Sequence, residues 1–286
     1  MSFTRKRIDV TIQLGTGQFG DTGSSKVTIT GLRVQALLNS YGSEAMSDVQ
    51  ARIYGLPLSM INQLTTVGPI NTAYRNNTLE LAAGDDEHGM SVVYSGTIGE
   101  AWGDFAGAPE VALNVIGWAG LFQAVKPVGA SSYLGSVDAA TVMQDLANMM
   151  GLAFENNGVS VQLAYPYFPG TALAQVRACA RAADINYSIE RGTLAIWPRN
   201  GARAGDIPTI STATGMVGYP RFTSKGIAVQ CEFNRSIRQG GQVKVESILQ
   251  VASGTWNVFG VTHALESETP NGSWYTTFEG FPQNGE

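Results

Sequence analysis

The most constraining feature of this sequence is the strict alternation of apolar and polar residues near its start. The stretch "RIDVTIQL", residues 7–14, repeats with a period of two, which places successive side chains on opposite faces of a strand. Such a strand packs one face and leaves the other polar. The chain therefore opens in a β-sheet. The apolar positions are Ile8, Val10, Ile12 and Leu14.

Further strands are predicted across the first region. Val27 and Ile29 begin a second strand whose phase changes at Gly31, and a glycine at a phase change indicates a β-bulge. Leu58, Ile61 and Leu64 follow a spacing of three, which predicts a short helix at the end of a compact barrel or sandwich. The other predicted strands are "SDVQARIYGL", "NTLELAAG", "GMSVVYSGTI" and "PEVALNVIGWAG", with "GDDEHG" as a turn.

Gly15, Gly17 and Gly20 have the G-x-G-x-x-G spacing of a dinucleotide-binding turn. That site needs a helix after the last glycine and an acidic residue about 20 positions further on. Here an alternating, strand-like segment follows, and position 40 is Ser40. We therefore predict a hairpin loop and no nucleotide site.

Composition favours β structure and argues against two classes of partner. Of 286 residues, 14% are charged, 44% are hydrophobic and 34 are glycine, which suits short strands and turns. The formal net charge of −5 argues against wholesale electrostatic attraction to DNA or to an anionic membrane. We find neither a secretion signal nor an apolar run of the roughly 18 residues that span a bilayer, so we expect a soluble protein made in the cytoplasm.

The middle region changes character near residue 130. In "DAATVMQDLANMMG" the apolar residues recur with helical spacing, Asp138 can cap the start and Gly151 can end the helix. A second helix begins near Thr171, and "INYSIERGTLAIWP" predicts a hairpin through Arg191-Gly192. The methionines of the first helix suggest either core packing or an adaptable binding groove, and their spacing favours the core. They are Met143, Met149 and Met150.

The last region returns to β structure after a polar linker, "RNGARAGDIPTISTATG". The segments "GIAVQCEFN" and "GQVKVESI" are strands, and "TWNVFGVTHALES" pairs with "SWYTTFEGF" through a turn at Asn271-Gly272. Another barrel fits best. The order of strand, loop and strand resembles "SVVYSGTIGEAW" followed by "EVALNVIGW", which suggests two copies of one β fold.

Residues for catalysis or metal binding are few. Nucleophilic catalysis needs a base beside the nucleophile, and the two histidines are His88, in a turn without an orienting partner, and His263, on a strand face. "GDDEHG" groups Asp85, Asp86 and Glu87 but lacks the alternating ligands and distal glutamate of a calcium loop. We predict no catalytic, cofactor-binding or metal-binding residues, and no cofactor. The two cysteines, Cys179 and Cys231, lie in phase with apolar neighbours and are predicted to be buried.

Three segments together resemble the baseplate hub, or tail-tube initiator, proteins of contractile-tailed bacteriophages. They are "DAATVMQDLANMMGL", "GTALAQVRACARAADINYSIERGTLAIWP" and "WNVFGVTHALESETPNGSWYTTFEG". Those hubs similarly combine two helices, a hairpin that ends near Trp-Pro, and a closing strand pair with "V-x-H" before "W-x-T". The likeness covers the second half of the chain clearly and the first half by pattern.

The resemblance implies a mainly β fold with an α/β insert: two tube-type β-barrel domains separated by a small domain of two helices and a small sheet. The expected divisions are a first barrel at 1–130, the insert at 131–205 and a second barrel at 206–286. It implies a homotrimer whose six barrels form a pseudo-sixfold ring between a hexameric tail tube and a trimeric spike, beside other baseplate proteins in the virion tail. DNA would pass through the channel without specific binding.

Two other classes of function remain open on the residues alone. A carbohydrate-binding or adhesin module would present exposed tryptophans as stacking platforms, at Trp102, Trp118, Trp256 or Trp274. A tail-associated hydrolase would need only two carboxylates, which no motif excludes. The hub hypothesis predicts a protein without enzymatic activity.

Overall fold

A computed structural model describes residues 4–20, 23–41, 45–66 and 75–283, and the chain forms two compact units. The first unit consists of the described parts of residues 1–39, 47–122 and 263–274. The second consists of the described parts of residues 40–46, 123–262 and 275–286, so it holds the whole of the predicted insert and most of the last region. The three-part division at residues 130 and 205 stays a prediction.

The first unit is an antiparallel sheet on which the short helix α1 (Leu58–Leu64) packs. Its described strands run in the order β2-β1-β5-β6-β7-β4-β3. The elements are β1 (Lys6–Gln13), β2 (Lys26–Ile29), β3 (Val34–Tyr41), β4 (Asp48–Tyr54), α1 (Leu58–Leu64), β5 (Thr78–Asp85), β6 (Gly89–Asp104), β7 (Ala112–Trp118) and α2 (Leu121–Val125).

One face of this sheet forms the core, as the alternation predicts. Ile8, Val10 and Ile12 of β1 are buried, while the side chains between them are half-exposed. Helix α1 lies on the buried face, because a Cβ at Gly103 of β6 would stand 2.7 Å from Cγ2 of Ile61. The predicted short helix is therefore present, with Met60, Ile61 and Leu64 buried.

The glycine-rich segment joins two antiparallel strands, so the predicted hairpin is confirmed. The backbone N–H of Leu14 donates to the carbonyl of Ser25 at 2.8 Å, and Phe19 is buried in the loop. Gly15 is required by close packing, because a Cβ there would lie 1.9 Å from the carbonyl oxygen of Arg75. A strand follows the loop where a nucleotide site would need a helix.

The bulge predicted at Gly31 is wrong. Residues on either side of it belong to two strands: β2 pairs with β1, and β3 pairs with β4. Gly31 has a φ of 72°, a left-handed conformation that ends the first strand, so the phase change marks a turn.

The second unit carries the two predicted helices, a small sheet and most of the last strands of the chain, while residues 263–267 and Trp274 of those strands lie in the first unit. Its elements are β8 (Ser131–Ser132), β9 (Ser136–Asp138), α3 (Ala139–Met150), β10 (Ala153–Asn156), β11 (Gln162–Ala164), β12 (Tyr167–Phe168), α4 (Ala172–Ala183), β13 (Ile185–Glu190), β14 (Thr193–Pro198), β15 (Thr209–Ile210), a 3-10 turn (Thr212–Thr214), β16 (Met216–Thr223), β17 (Gly226–Glu232), β18 (Gln242–Val245), a second 3-10 turn (Gln250–Ala252), β19 (Gly254–Ser267) and β20 (Trp274–Pro282).

The helix caps and the hairpin turn predicted for residues 131–205 are confirmed. The Asp138 side chain accepts from the N–H of Ala140 at 2.8 Å, and Gly151 ends α3 in the left-handed conformation. Thr171 caps α4 in the same way. The hairpin of β13 and β14 turns at Arg191-Gly192, and β10 adds to it in parallel. The side chains of α3 pack as core, while Met149 is 49% exposed.

The larger sheet of the second unit runs β16-β17-β20-β19, with β18 beside the start of β19 and β15 beside β18. Phe278, Val258 and Val229 lie in its core. Within the part of the chain that the structure describes, neither sheet closes on itself as a barrel. The helices of that part are too short or too polar to cross a membrane.

Candidate functional site

His88, one of the two candidate bases, lies in the exposed turn between β5 and β6. Its Nδ1 is 3.0 Å from Oδ1 of Asp85, so the expectation that it lacks an orienting partner is wrong. Partial burial raises the pKa of Asp85, but hydrogen bonds from the backbone and ring of His88 and from the N–H of Glu87 outweigh it, and the net pKa is lowered. The carboxylate therefore organises the turn.

The other nucleophile and base candidates are buried. His263 on β19 is 4% exposed. Cys179 and Cys231 are buried as predicted, and burial raises the pKa of each thiol to about 12, so both stay protonated at neutral pH. Among the described residues, no group of three or more His, Cys, Asp or Glu side chains could hold a metal ion.

The four tryptophans proposed as stacking platforms differ in exposure. Trp102 is 42% exposed on β6, and Trp118 is half-buried. Trp256 and Trp274 are each 8% exposed, and the indole N–H of Trp256 donates to the carbonyl of Ala252 at 3.0 Å. Of these four tryptophans, Trp102 is therefore the one exposed enough to stack on a sugar.

The first sheet has an open, polar face, which the strand register defines. Cross-strand partners share a face, and Gln35, Arg52, Asn114 and Trp102 form one row across β3, β4, β7 and β6. This row borders a hollow of about 410 Å³ within the first unit. The face lies opposite the core and opposite helix α1, so it is available for contact with solvent or a partner.

This polar face carries more acid than base. Following the register, Glu80 lies opposite Thr11, and Glu100 lies opposite Ile116. Among the described residues within strands β1–β7, five acidic and three basic side chains share the face: Asp9, Asp48, Glu80, Glu100 and Asp104, with Arg7, Lys26 and Arg52. Arg52 pairs with Asp104, and Arg7 lies 3.6 Å from Asp9, so much of the positive charge is already neutralised within the face.

Each unit ends in a strand that has a partner on one side among the described residues. In the first unit this edge is β2, which pairs with β1. In the second unit it is β16, which pairs with β17. Edge strands present backbone N–H and C=O groups on which another strand can pair.

The edge strand β16 is apolar and exposed. Val217, Tyr219 and Phe222 are 40%, 62% and 59% exposed, and the pairing with β17 is irregular between Val217 and Arg221. An exposed apolar edge is a site of association. This strand is not among those predicted from the sequence. Pro220 is a signal for it, because proline within a sheet is confined to edges and bulges.

The predicted polar linker contains the most buried ion pair described in the chain. The Arg203 side chain is 2% exposed, and it contacts Glu155 through Nη2 at 2.9 Å and Glu190 through Nη1. Its Nη1 also donates to the carbonyl of Gln239 at 3.2 Å. This guanidinium therefore joins the insert to the segment before β18, within one unit.

Comparisons with known proteins identify the family. The model of a family described as "Baseplate hub gp41" matches residues 7–280. The resemblance to phage baseplate hubs is therefore confirmed. The comparison with curated proteins gave no match.

Solved structures show the same fold at low identity. The tail protein from Neisseria meningitidis MC58 has a TM-score of 0.63 at 10% identity and covers 96% of both chains. The 43 kDa tail protein of prophage MuSo2 from Shewanella oneidensis has a TM-score of 0.61 at 8% identity over 96% of this chain and 97% of the other.

A third structure is the E. coli c3393 protein, a type VI secretion component described as similar to the T4 tail proteins gp27 and gp5. It has a TM-score of 0.56 at 10% identity and covers 88% of this chain and 74% of its own. These likenesses show the fold, and the family match over residues 7–280 carries the identity. The chain belongs to the baseplate hub gp41 family.

Proposed function

We propose that this chain is a structural hub of a phage tail baseplate that assembles as a homotrimer with pseudo-sixfold symmetry. The ring joins the hexameric tail tube to the trimeric spike and leaves a channel for DNA. The family match over nearly the whole chain carries this proposal. The role requires no catalytic group or cofactor. The protein would be made in the host cytoplasm and would work in the virion tail beside other baseplate proteins.

The edge strands support a ring. A contact between β2 of one copy and β16 of the next joins two different surfaces, and head-to-tail contacts of this kind close into rings. Pairing would satisfy the backbone of both edges and would cover Val217, Tyr219 and Phe222. Closure into a barrel then needs neighbouring copies, which explains why a single chain carries open sheets.

The polar face of the first sheet suits a channel wall. DNA binds tightly where basic side chains release its counterions, so a face with five acids and three bases would not retain phosphates. This face lies opposite the packed face, and curling the sheet around it would direct these residues inward. The net charge of −5 is consistent with passage and with ordinary solubility alike.

The experiment is analytical ultracentrifugation of the purified chain over a range of concentrations, with electron microscopy of the assembled species. We expect a trimer with a central bore. The double variant Tyr219→Lys/Phe222→Lys places two charges on the edge strand and should shift the equilibrium to monomer. Leu134→Lys is the matched control, because Leu134 is 97% exposed and lies outside both edges.

A trimer that survives the double variant unchanged would refute the β16 interface while leaving the hub assignment intact. A chain that stays monomeric both free and in isolated tail particles would refute the trimeric hub. A hub can be monomeric in solution and form a trimer only when the tail assembles. The oligomeric state in isolated tail particles therefore distinguishes late assembly from a monomeric role.

A further inference from the structure

The second unit contains a cationic cleft beside helix α4. It has a volume of about 390 Å³ and lies between α4, the hairpin of β13 and β14, and β19. Arg177 and Arg181 approach it from α4, and Arg199 follows β14. Among the described residues that line the cleft, Asp184 is the one acid. Three guanidinium groups and one carboxylate give the cleft a local excess of positive charge, although the whole chain has a net charge of −5.

The pair formed by Arg199 and Asp184 leaves binding capacity. Nη1 of Arg199 donates to Oδ1 of Asp184 at 2.6 Å, and both side chains are 70% exposed. A guanidinium has five N–H donors, so one ion pair does not saturate it. An exposed pair of this kind contributes little to stability, so a ligand carboxylate can compete with Asp184 for the arginine.

The floor of the cleft is aromatic. Phe259 and Phe281 are stacked with ring centroids 6.3 Å apart, and Lys225 lies over the Phe259 ring at 5.4 Å. Trp197 is buried and packs on Gly240, where a Cβ would lie 2.5 Å from the indole. The floor is therefore apolar, and Lys225 adds a further cation beside one of its rings.

Two amide side chains give the cleft polar groups suited to a peptide backbone. Oε1 of Gln239 accepts from Ser188 at 2.9 Å, and Oδ1 of Asn257 accepts from Gln242 at 3.0 Å. Among the described residues neither amide nitrogen has an acceptor, so each can donate to a ligand carbonyl. Pockets of about 300–1,000 Å³ with an apolar lining and a few convergent polar groups are typical ligand sites.

We propose that this cleft binds a short acidic peptide segment, with an apolar side chain on the aromatic floor, from a partner protein. Carboxylates meet the arginines in bidentate geometry. The charges of the cleft would attract either a peptide or a nucleic acid strand, but the free amide donors of Gln239 and Asn257 suit the regularly spaced carbonyl groups of a peptide backbone, so the peptide is favoured. The inference does not depend on the trimeric ring.

The test is an NMR titration of the purified chain that follows the indole N–H signal of Trp197, assigned with Trp197→Phe. The probes are the peptides acetyl-EEFEE-amide and acetyl-KKFKK-amide and the oligonucleotide dT5. We expect saturable shifts with the acidic peptide, weakening as salt rises, and none with the basic peptide. The double variant Arg177→Gln/Arg181→Gln should weaken binding at least about tenfold.

The control variant is Arg75→Gln, which removes an exposed arginine of the first unit and should leave the titration unchanged. Circular dichroism establishes that the double variant is folded, and Arg199→Gln provides a second variant on the cleft rim if it is not. The proposal is overturned if the acidic peptide leaves Trp197 unshifted, if the cleft variants bind it as wild type does, or if dT5 binds more tightly than the peptide.

Discussion

Tyr94 in the first unit is a buried tyrosine whose hydroxyl group is packed against two glycines. Tyr94 is 4% exposed, and its hydroxyl has no hydrogen-bond partner among the described residues. Burial raises the pKa of Tyr94 well above its usual value, with a further contribution from Asp48. The side chain of Tyr94 fits because Gly96 and Gly117 have no Cβ. A Cβ at Gly96 would lie 2.3 Å from the hydroxyl oxygen, and a Cβ at Gly117 would lie 3.0 Å from it.

We predict that Tyr94→Phe leaves the fold intact and stabilises it by about 1 kcal/mol, because it removes a buried polar atom that lacks a partner. Urea unfolding monitored by circular dichroism measures the change. Gly117→Ala is the opposing control and should destabilise the protein, because its new methyl group meets the same hydroxyl. A loss of stability in Tyr94→Phe would mean that the hydroxyl has a partner such as an ordered water.

The ion pair of Arg203 makes stability depend on pH through Glu155. Burial raises the pKa of Glu155, but hydrogen bonds and charge from Arg203 outweigh this, with smaller help from Asn157 and Arg238, and the net pKa lies below 4.5. A carboxyl whose folded pKa is lowered contributes stability above its unfolded pKa, and that contribution is lost as pH falls through the folded value.

Glu155→Gln should therefore be less stable than wild type at pH 7, and the difference should shrink as pH falls below 4.5. Urea unfolding at several pH values follows this convergence. Glu110→Gln is the matched control, because its pair with Arg33 is largely exposed and contributes about 0–1 kcal/mol. Parallel curves for wild type and Glu155→Gln would contradict the coupling.

Among the secondary-structure elements, the predicted helices and hairpins agree closely with the structure, because the residues that specify them are neighbours in the sequence. Asp138 and Thr171 each lie at the start of a helix, and Gly151 lies at an end, where a left-handed φ of 70° favours glycine. The turn at Gly31 was misread because a phase change looks the same for a bulge and for a break between strands. Only the pairing of β2 with β1 and of β3 with β4 distinguishes the two.

The caps provide a test at this scale. Asp138→Ala should destabilise the second unit by about 1 kcal/mol, because the N–H of Ala140 loses its acceptor at the start of α3. Thermal unfolding measures the change, and Gln144→Ala, an exposed substitution in the middle of the same helix, should have a much smaller effect. Equal effects from both variants would show that the cap contributes little.

At the scale of the whole molecule, the charge on the polar face of the first sheet decides how the proposed ring treats DNA. Glu80→Lys/Glu100→Lys reverses two acids on that face and should convert the assembled protein into one that binds double-stranded DNA, with an affinity that falls steeply as salt rises. Fluorescence anisotropy with a labelled duplex measures this.

Glu232→Lys/Glu246→Lys makes the same change of net charge at exposed positions outside that face. If both double variants bind DNA equally, net charge governs the interaction and the face has no special role. Tight DNA binding by the wild-type protein would contradict the proposal that DNA passes through the channel without being bound.

From the residues alone we could predict the mainly β character, the two capped helices, the hairpins and the likeness to baseplate hubs, because these depend on local period, capping and turn residues. Tertiary structure decided what depends on residues far apart in the chain. Arg203, in an apparently polar linker, is buried because Glu155 and Glu190 meet it from distant strands. The edge position of β16 and the cationic cleft likewise follow from strand order and packing, which no local pattern specifies.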